Sequence, residues 1–354
     1  MNSGNWRAIY HHLAPILGTL VLCFSSFAVI RVYYYLKPVI PRRIRFALRR
    51  RWALRLRKRA NHRWPICEEA GHLPPGWNGW PGGKRFGLVL THDIESPLGI
   101  DRVKEVAELE MAMGFRSSFN FIPEGPYVAR TELMSWLKAR GFEVGVHDHR
   151  HDGKLYRSWN SFQASARRIN GYLREWNAVG FRSGFMMRNL EWIQNLDVLY
   201  DASTFDTDPF EPQPDGSNTI FPFWVGGSEG KGYVELPYTL AQDSTLFLIF
   251  KEKTNEIWKR KLAWIAGRGG MALVNVHPDY MAFGKKPNRY EYSVDLYRSF
   301  LQHVKNEYAG QYWHVLPRDM ARFVRPIVQS RTQTGTANFS AAPRLEAVSE
   351  SQPS

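Results

Sequence analysis

The chain has 354 residues, 44% of them hydrophobic, with 47 Lys+Arg against 33 Asp+Glu and two cysteines, Cys23 and Cys67. That is enough apolar chain for one large domain with extras; it excludes a disulfide framework beyond a single bridge and, without a CxxC, a thiolate zinc site. The net charge of +14 is lopsided, with +13 in residues 1–84 and only +1 in 85–354, so no basic binding face is expected on the globular part and no nucleic acid among its partners.

Residues 13–30, LAPILGTLVLCFSSFAVI, are uncharged, and with 31–36 they make 24 mostly apolar residues. As a helix, 18–24 residues span roughly 27–36 Å, the thickness of a bilayer's hydrocarbon core. Trp6 and Tyr10 at one end and Tyr33, Tyr34 and Tyr35 at the other fit an interfacial aromatic belt. A cleaved signal peptide would want a positive leader and a small-residue cleavage site; only Arg7 precedes the run and no A-x-A follows. Residues 1–36 are therefore expected to be a retained single-pass anchor. Thirteen Lys+Arg between 31 and 63 put the C-terminal side in the cytoplasm by the positive-inside rule. The same run is expected to attract anionic membrane lipids. Ile44, Leu48, Trp52 and Leu56 repeat at helical spacing, but Arg45, Arg51 and Arg55 interrupt the stripe.

Residues 64–84, WPICEEAGHLPPGWNGWPGGK, read as a Pro/Gly/Trp linker, so 37–84 is a basic juxtamembrane segment plus linker. From 328 to 354 the chain is polar and expected to be disordered. Between them, 85–327 is the folded domain. Strands are expected at 86–93, 115–122 and 142–146, around Gly180-Phe181-Arg182-Ser183, and at LYDAS, GYVELP and MALVNVH. Helices are expected at 100–113, 130–140, 155–177, 189–196, 253–267 and 291–307. This alternation implies a parallel sheet with crossover helices, and the number of units favours a barrel, whose functional residues sit at the C-terminal ends of strands.

Five strand ends deliver ionisable groups: Asp93 and Glu95, the run His147–His151, Arg182, Asp201 and His277. In VGVHDHRHDG, residues 144–153, His147 and His151 are four apart, which on a helical turn puts both imidazoles on one face. Two imidazoles and a carboxylate are a common ligand set for catalytic zinc. His149 would then point elsewhere, and Asp148 or Asp152 would either orient a ligand histidine or stay solvated.

At these residues the sequence resembles the polysaccharide deacetylase family, carbohydrate esterase family 4, over roughly residues 85–320. The resemblance implies a distorted (β/α) barrel. Thr91-His92-Asp93-Ile94-Glu95 looks like the branch of the family whose first motif is D-x-D, with Glu replacing the second Asp. It implies Asp93 as general base and Glu95 as metal ligand; were Glu95 unable to reach the metal, Asp93 would be the ligand. His147 and His151 match the two metal-ligand histidines. Arg182 in Gly180-Phe181-Arg182-Ser183-Gly184 matches the arginine that pairs with the base, although the family's proline is missing. A loose fourth motif could be filled by Asp201 or Asp206, and His277 matches the histidine that protonates the leaving amine.

The implied activity is metal-dependent hydrolysis of an N-acyl (acetyl or formyl) group on an amino sugar, with zinc expected or cobalt or another divalent ion in its place. The substrate expected at a membrane is a lipid-linked sugar or one in surface-polysaccharide assembly. The altered motifs also fit a catalytically inactive glycan- or partner-binding module. A glycoside hydrolase using Asp93 and Glu95 as its carboxylate pair would leave the histidines idle. The long segment Ser203–Asp243 is expected to cover the site and select substrate, with Trp224 in contact with it.

Overall fold

The computed structural model describes residues 42–60, 62–226, 231–284 and 286–333, and the chain divides into two units, 1–52 and 53–354. The first unit contributes the start of helix α1 (Arg42–Arg59) to the described residues. The expected anchor lies outside them; among the described residues no helix is long and apolar enough to cross a membrane. In the second unit, the last turn of α1 places the Arg57 guanidinium 4.6 Å from the Phe250 ring centroid and 2.5 Å from Glu252.

The second unit is built on β1 (Phe86–Ile94), β2 (Ser118–Phe121), β3 (Glu143–His147), β4 (Gly180–Arg182), β5 (Tyr200–Asp201), β6 (Phe223–Gly226), β7 (Gly232–Glu235), β8 (Met271–Val276), β9 (Met281–Ala282), β10 (Tyr292–Ser293) and β11 (Tyr312–His314). The main sheet runs β11-β1-β2-β3-β4-β5-β7-β6, with β8 on the other edge of β1; all pairs are parallel except β6 with β7. Single bridges Phe205↔Tyr238 and Leu240↔Val274 carry pairing round toward β8, so the sheet curls into a distorted barrel. Every residue of β1 is buried, as a parallel strand covered on both faces must be, which is why FGLVLTHDI reads as a nearly continuous apolar run.

Crossover helices follow the strands: α2 (Pro97–Met113), α3 (Thr131–Ala139), α4 (Trp159–Glu175), the single turn α5 (Leu190–Ile193), α6 (Glu256–Arg268), α7 (Asp295–Glu307) and α8 (Pro317–Gln333). Local signals set their ends. Ser96 caps α2 before Pro97, Gly114 ends it in the left-handed region at φ 84°, and Ser158 caps α4. The helix expected from residue 155 therefore starts at Trp159, and the one expected over 189–196 is a single turn.

Three expectations change. The segment 64–84 is packed onto the domain: Trp80 is 4% exposed, lies in the core with Val89, Met271 and Met320, and donates its indole N–H to the Gly269 carbonyl at 2.8 Å. Burial of Trp64, Cys67 and Ala70 outweighs the turn-rich composition that suggested a linker. Helix α8 runs through Pro326 to Gln333 with Val328 buried, so order continues past residue 327; residues 334–354 lie outside the described ones. Trp224 sits in the core beside Val324 and under Arg325, packed against α8, and cannot contact a substrate at the strand ends.

Glu143 opens β3 at the end of the strand opposite His147, where it accepts from Tyr200 Oη at 2.8 Å and from the Arg318 N–H at 3.1 Å. Burial raises its carboxyl to about 7 from an ordinary 4.5. The unfolded chain releases this proton first, so stability falls as pH rises from about 4.5 to about 7 and is flat above, a loss of up to about 3 kcal/mol. Glu143→Gln is expected to remove most of that slope in urea unfolding at stepped pH; an unchanged slope would place the titration elsewhere. Trp80→Ala is expected to cost roughly 3–5 kcal/mol in the same assay, and a change under about 0.5 kcal/mol, the scale of ordinary surface substitutions, would show that 64–84 is a linker after all.

Candidate metal centre

Strand alternation decides what β1 offers. Thr91 and Asp93 face the barrel interior, while His92 faces outward, where its Nε2 lies 2.8 Å from Glu110 of α2. Both Asp93 oxygens are engaged: Asn120 Nδ2 donates to Oδ1 at 2.9 Å and Asn275 Nδ2 to Oδ2 at 2.8 Å, with Arg182 Nη1 at 3.3 and 3.5 Å. Burial alone would raise this carboxyl, but Arg182, His147 and His277 hold it far below the usual carboxylate range. Arg182 is fully buried and also donates to Thr91 Oγ1, Asn275 Oδ1 and the Ala202 carbonyl.

The histidines converge, but not on a helical turn. His147 ends an extended strand, and the chain then reverses through Asp148 (φ 59°) and His151 (φ 53°), both in the left-handed region. The ring centroids of His147 and His151 end 4.8 Å apart. This turn packs on Gly184, where a Cβ would sit 2.3 Å from Asp148 Oδ2 and 2.8 Å from His151 Cδ2. That close approach accounts for the glycine at 184.

The His147 Nδ1 lies 3.1 Å from the Arg182 carbonyl, which can only accept, so Nδ1 carries the proton and Nε2 presents its lone pair. That Nε2 is buried without a hydrogen-bond partner among the described residues. Burial, aided by His151 and opposed by Asp93, pushes His147 below its ordinary pKa toward the neutral form a metal requires. Glu95 Oε1 is 3.2 Å from His151 Nε2, and the donor atoms of Glu95, His147 and His151 all lie within 4.8 Å of one another. Burial works against the Glu95 charge, yet His151, His277 and His147 hold its carboxyl well below the usual range. A buried lone pair with no partner, a neutral imidazole and a charged carboxylate fit a divalent cation.

Glu95 is placed from behind. Its backbone N–H donates to Asp279 Oδ2 at 3.1 Å, Ser96 Oγ donates to Asp279 Oδ1, and Tyr280 Oη donates to Glu95 Oε2 at 2.8 Å. Beside it, His277 Nδ1 lies 2.7 Å from Asp243 Oδ1, and its Nε2 faces Glu95 Oε1 at 3.8 Å. Burial would lower His277, but the carboxylates of Asp243, Glu95 and Asp93 raise it to about 10. Tyr292 Oη completes the Asp243 contacts at 2.9 Å.

His149 turns away, with Nδ1 3.2 Å from Ser165 Oγ on α4 and Nε2 3.0 Å from Glu124. Asp148 accepts its neighbour's N–H, and Asp152 is exposed beside Lys154. Neither candidate for the fourth motif is at the centre. Asp201 forms a buried pair with Glu235 and accepts from Ser203, and Asp206 is paired with Lys261 at 2.5 Å. The carboxylate on His277 is Asp243, at the end of the segment expected to cover the site, and no spacing in the sequence pointed to it. Asn120, Asn275 and Asp279 were missed in the same way; Asn275 stands two residues before His277 in MALVNVH, and alternation along that strand was the available signal.

No family model and no curated protein matches the sequence. Solved structures do. A Mycobacterium smegmatis protein described as a polysaccharide deacetylase aligns at 17% identity over 72% of this chain and 95% of its own, with a TM-score of 0.54. Peptidoglycan deacetylase PdaC from Bacillus subtilis (14% identity, 72% and 98% coverage) and the chitin deacetylase of Colletotrichum lindemuthianum (14%, 68% and 88%) both score 0.41. The first of these carries the comparison, and at its identity what is shared is the fold, a distorted (β/α) barrel.

The loop bearing both histidines is tied down by Glu124, which receives Arg150, Arg168 and His149 and whose backbone N–H donates to the His149 carbonyl at 3.1 Å. Despite partial burial, these partners lower Glu124 to about 2. Zinc or cobalt titration of the full chain is expected to show one tight site, lost in His147→Ala. Glu124→Gln, which replaces no ligand, is expected to weaken that affinity about tenfold, by analogy with groups that orient metal ligands; unchanged affinity would show that the loop keeps its shape without the Glu124 charge.

Proposed function

We propose that this protein is a metal-dependent hydrolase that removes an N-acyl group, acetyl or formyl, from an amino sugar. The observation that carries the reading is the convergence of Glu95, His147 and His151 beside two prearranged ion pairs, Asp93–Arg182 and His277–Asp243, at the strand ends of a polysaccharide-deacetylase barrel.

Glu95, His147 and His151 would hold the divalent ion, zinc in the first instance, and a bound ion supplies a lowered water pKa and polarisation of the acyl carbonyl. Asp93 stays charged through Arg182, Asn120 and Asn275 and is the group assigned to receive the proton of the attacking water. Arg182 positions Asp93 and, through its carbonyl, fixes the tautomer of His147. His277, held protonated by Asp243, gives its proton to the leaving amine.

The membrane setting belongs to the same proposal. Segment 13–36 anchors the chain, the basic run beyond it meets anionic lipids on the cytoplasmic side, and the sugar is carried on a lipid phosphate or enters surface-polysaccharide assembly. A reporter fused after Ser354 that is accessible only from outside the cytoplasm would overturn that orientation.

The zinc-loaded full chain is expected to release acetate or formate from N-acylated amino sugars. Asp93→Asn and His277→Ala are each expected to lower kcat by roughly 10²–10⁴ with metal content retained. Because His277 acts protonated and the Asp243 carboxylate raises it, the alkaline limb of kcat/KM is expected to move to lower pH in Asp243→Asn. Metal and glycan bound with no acyl release would favour the inactive binding module instead.

A further inference from the structure

In Asp93-Ile94-Glu95 a glutamate stands at the expected ligand position, and its extra methylene gives the carboxylate one more torsion to fix than an aspartate has. A carboxylate can also meet a cation through one oxygen or through both. The residues around Glu95 have to settle both freedoms.

One turn contacts it at both ends. Pro278–Tyr280, directly after His277, lays two consecutive side chains on Glu95. Asp279 Oδ2 accepts from the Glu95 backbone N–H at 3.1 Å, and Asp279 Oδ1 accepts from Ser96 Oγ, which fixes where the side chain starts. Tyr280 Oη donates to Glu95 Oε2 at 2.8 Å, which fixes where it ends. The turn is itself held. Arg102 Nη1 donates to the Pro278 and Asp279 carbonyls at 3.3 and 3.1 Å, Arg102 Nη2 pairs with Glu291, and a Cβ at Gly99 would collide with the Asp279 carboxylate. The Tyr280 ring packs beside the His277 imidazole, with centroids 5.1 Å apart.

The two Glu95 oxygens therefore have different neighbours. Oε1 lies 3.2 Å from His151 Nε2 and 3.8 Å from His277 Nε2, on the side where the candidate ligand atoms converge. Oε2 is turned to the phenol. A hydrogen bond to a charged carboxylate is stronger than one between neutral groups, and a cation that took both oxygens would have to break it.

We propose that Tyr280 is a positioning residue that reserves Glu95 Oε2 for its own hydroxyl, so that Glu95 offers a divalent cation Oε1 alone. With one atom each from Glu95, His147 and His151, the remaining positions on the ion stay open to water and the acyl oxygen. The inference rests on the metal-centre reading of these three residues and not on the identity of the acyl substrate.

Cobalt(II) tests it, because its visible absorption weakens several-fold as ligands are added beyond four. The full chain is saturated with cobalt and compared with Tyr280→Phe, which keeps the ring and removes only the hydroxyl. The variant is expected to hold one cobalt with a visible band several-fold weaker, as Glu95 closes on the ion with both oxygens. Tyr292→Phe makes the same deletion at the hydroxyl on Asp243, away from the ligands, and is expected to keep the parent band. An unchanged band in Tyr280→Phe, an equal loss in both variants, or no cobalt in Tyr280→Phe overturns the proposed role and leaves the metal centre in place. No cobalt in the unsubstituted chain overturns the metal centre and the role of Tyr280 together. A weakened band in Tyr280→Phe alone, without acyl release from any substrate by the unsubstituted chain, leaves the positioning role standing and removes only the enzymatic reading.

Discussion

One buried guanidinium organises the centre. Arg182 is fully buried at the end of β4, and an unpaired charge in that position would cost several kcal/mol; its Nε and Nη1 are engaged, while Nη2 has no hydrogen-bond partner among the described residues. Its partners come from separate strands: Thr91 and Asp93 from β1, Asn275 from β8, and the Ala202 carbonyl just past β5. Its own carbonyl accepts from the Asp148 N–H at 2.8 Å and faces His147 Nδ1. A single residue thus fixes the charge of the proposed base and the tautomer of a proposed ligand. This is possible because parallel strands end together, bringing groups far apart in sequence within one hydrogen-bond network.

The loop bearing His147 and His151 solves a different problem. Two imidazoles four residues apart would meet easily on a helix, but here the first ends a strand. Two left-handed residues reverse the chain within four positions, and Gly184 lets the turn press against the neighbouring loop. Backbone strain of this kind persists only when the surroundings over-determine it. Glu124 and Ser165 supply that constraint by holding His149, so the one histidine of the run that turns away from the centre anchors the other two.

The polar residues behind the centre form a second layer with its own logic. Asp279 holds the backbone of Glu95, and Arg102 of α2 donates to the carbonyls of Pro278 and Asp279 at 3.3 and 3.1 Å, fixing the turn that follows His277. Asp243 leads into the buried apolar stretch Ser244–Phe250, whose π-helical turn sets the carboxylate under His277. These residues decide which way the functional side chains face.

By itself the sequence determined what depends on local chemistry. Alternating apolar runs and helical patterns marked the strands and helices, and strand ends marked Asp93, Glu95, His147, His151, Arg182, Asp201 and His277, all but Asp201 at the centre, because period-two burial and C-terminal strand ends are short-range signals. It misread 64–84 as a linker, since turn composition does not reveal that Trp80 finds its hydrogen-bond acceptor, the Gly269 carbonyl, 189 residues further along the chain. It placed Trp224 at the substrate and offered Asp201 or Asp206 for a loose fourth motif, whereas the fold buries Trp224 against α8, keeps both aspartates in buried pairs away from the centre, and puts Asp243 on His277. Tertiary structure alone decided these points. A carboxylate's partner 34 residues away, an amide from β2 meeting one from β8 on Asp93, and a turn pressed against Gly184 are products of closing the sheet, and no local pattern carries the distance between residues that only closure brings together.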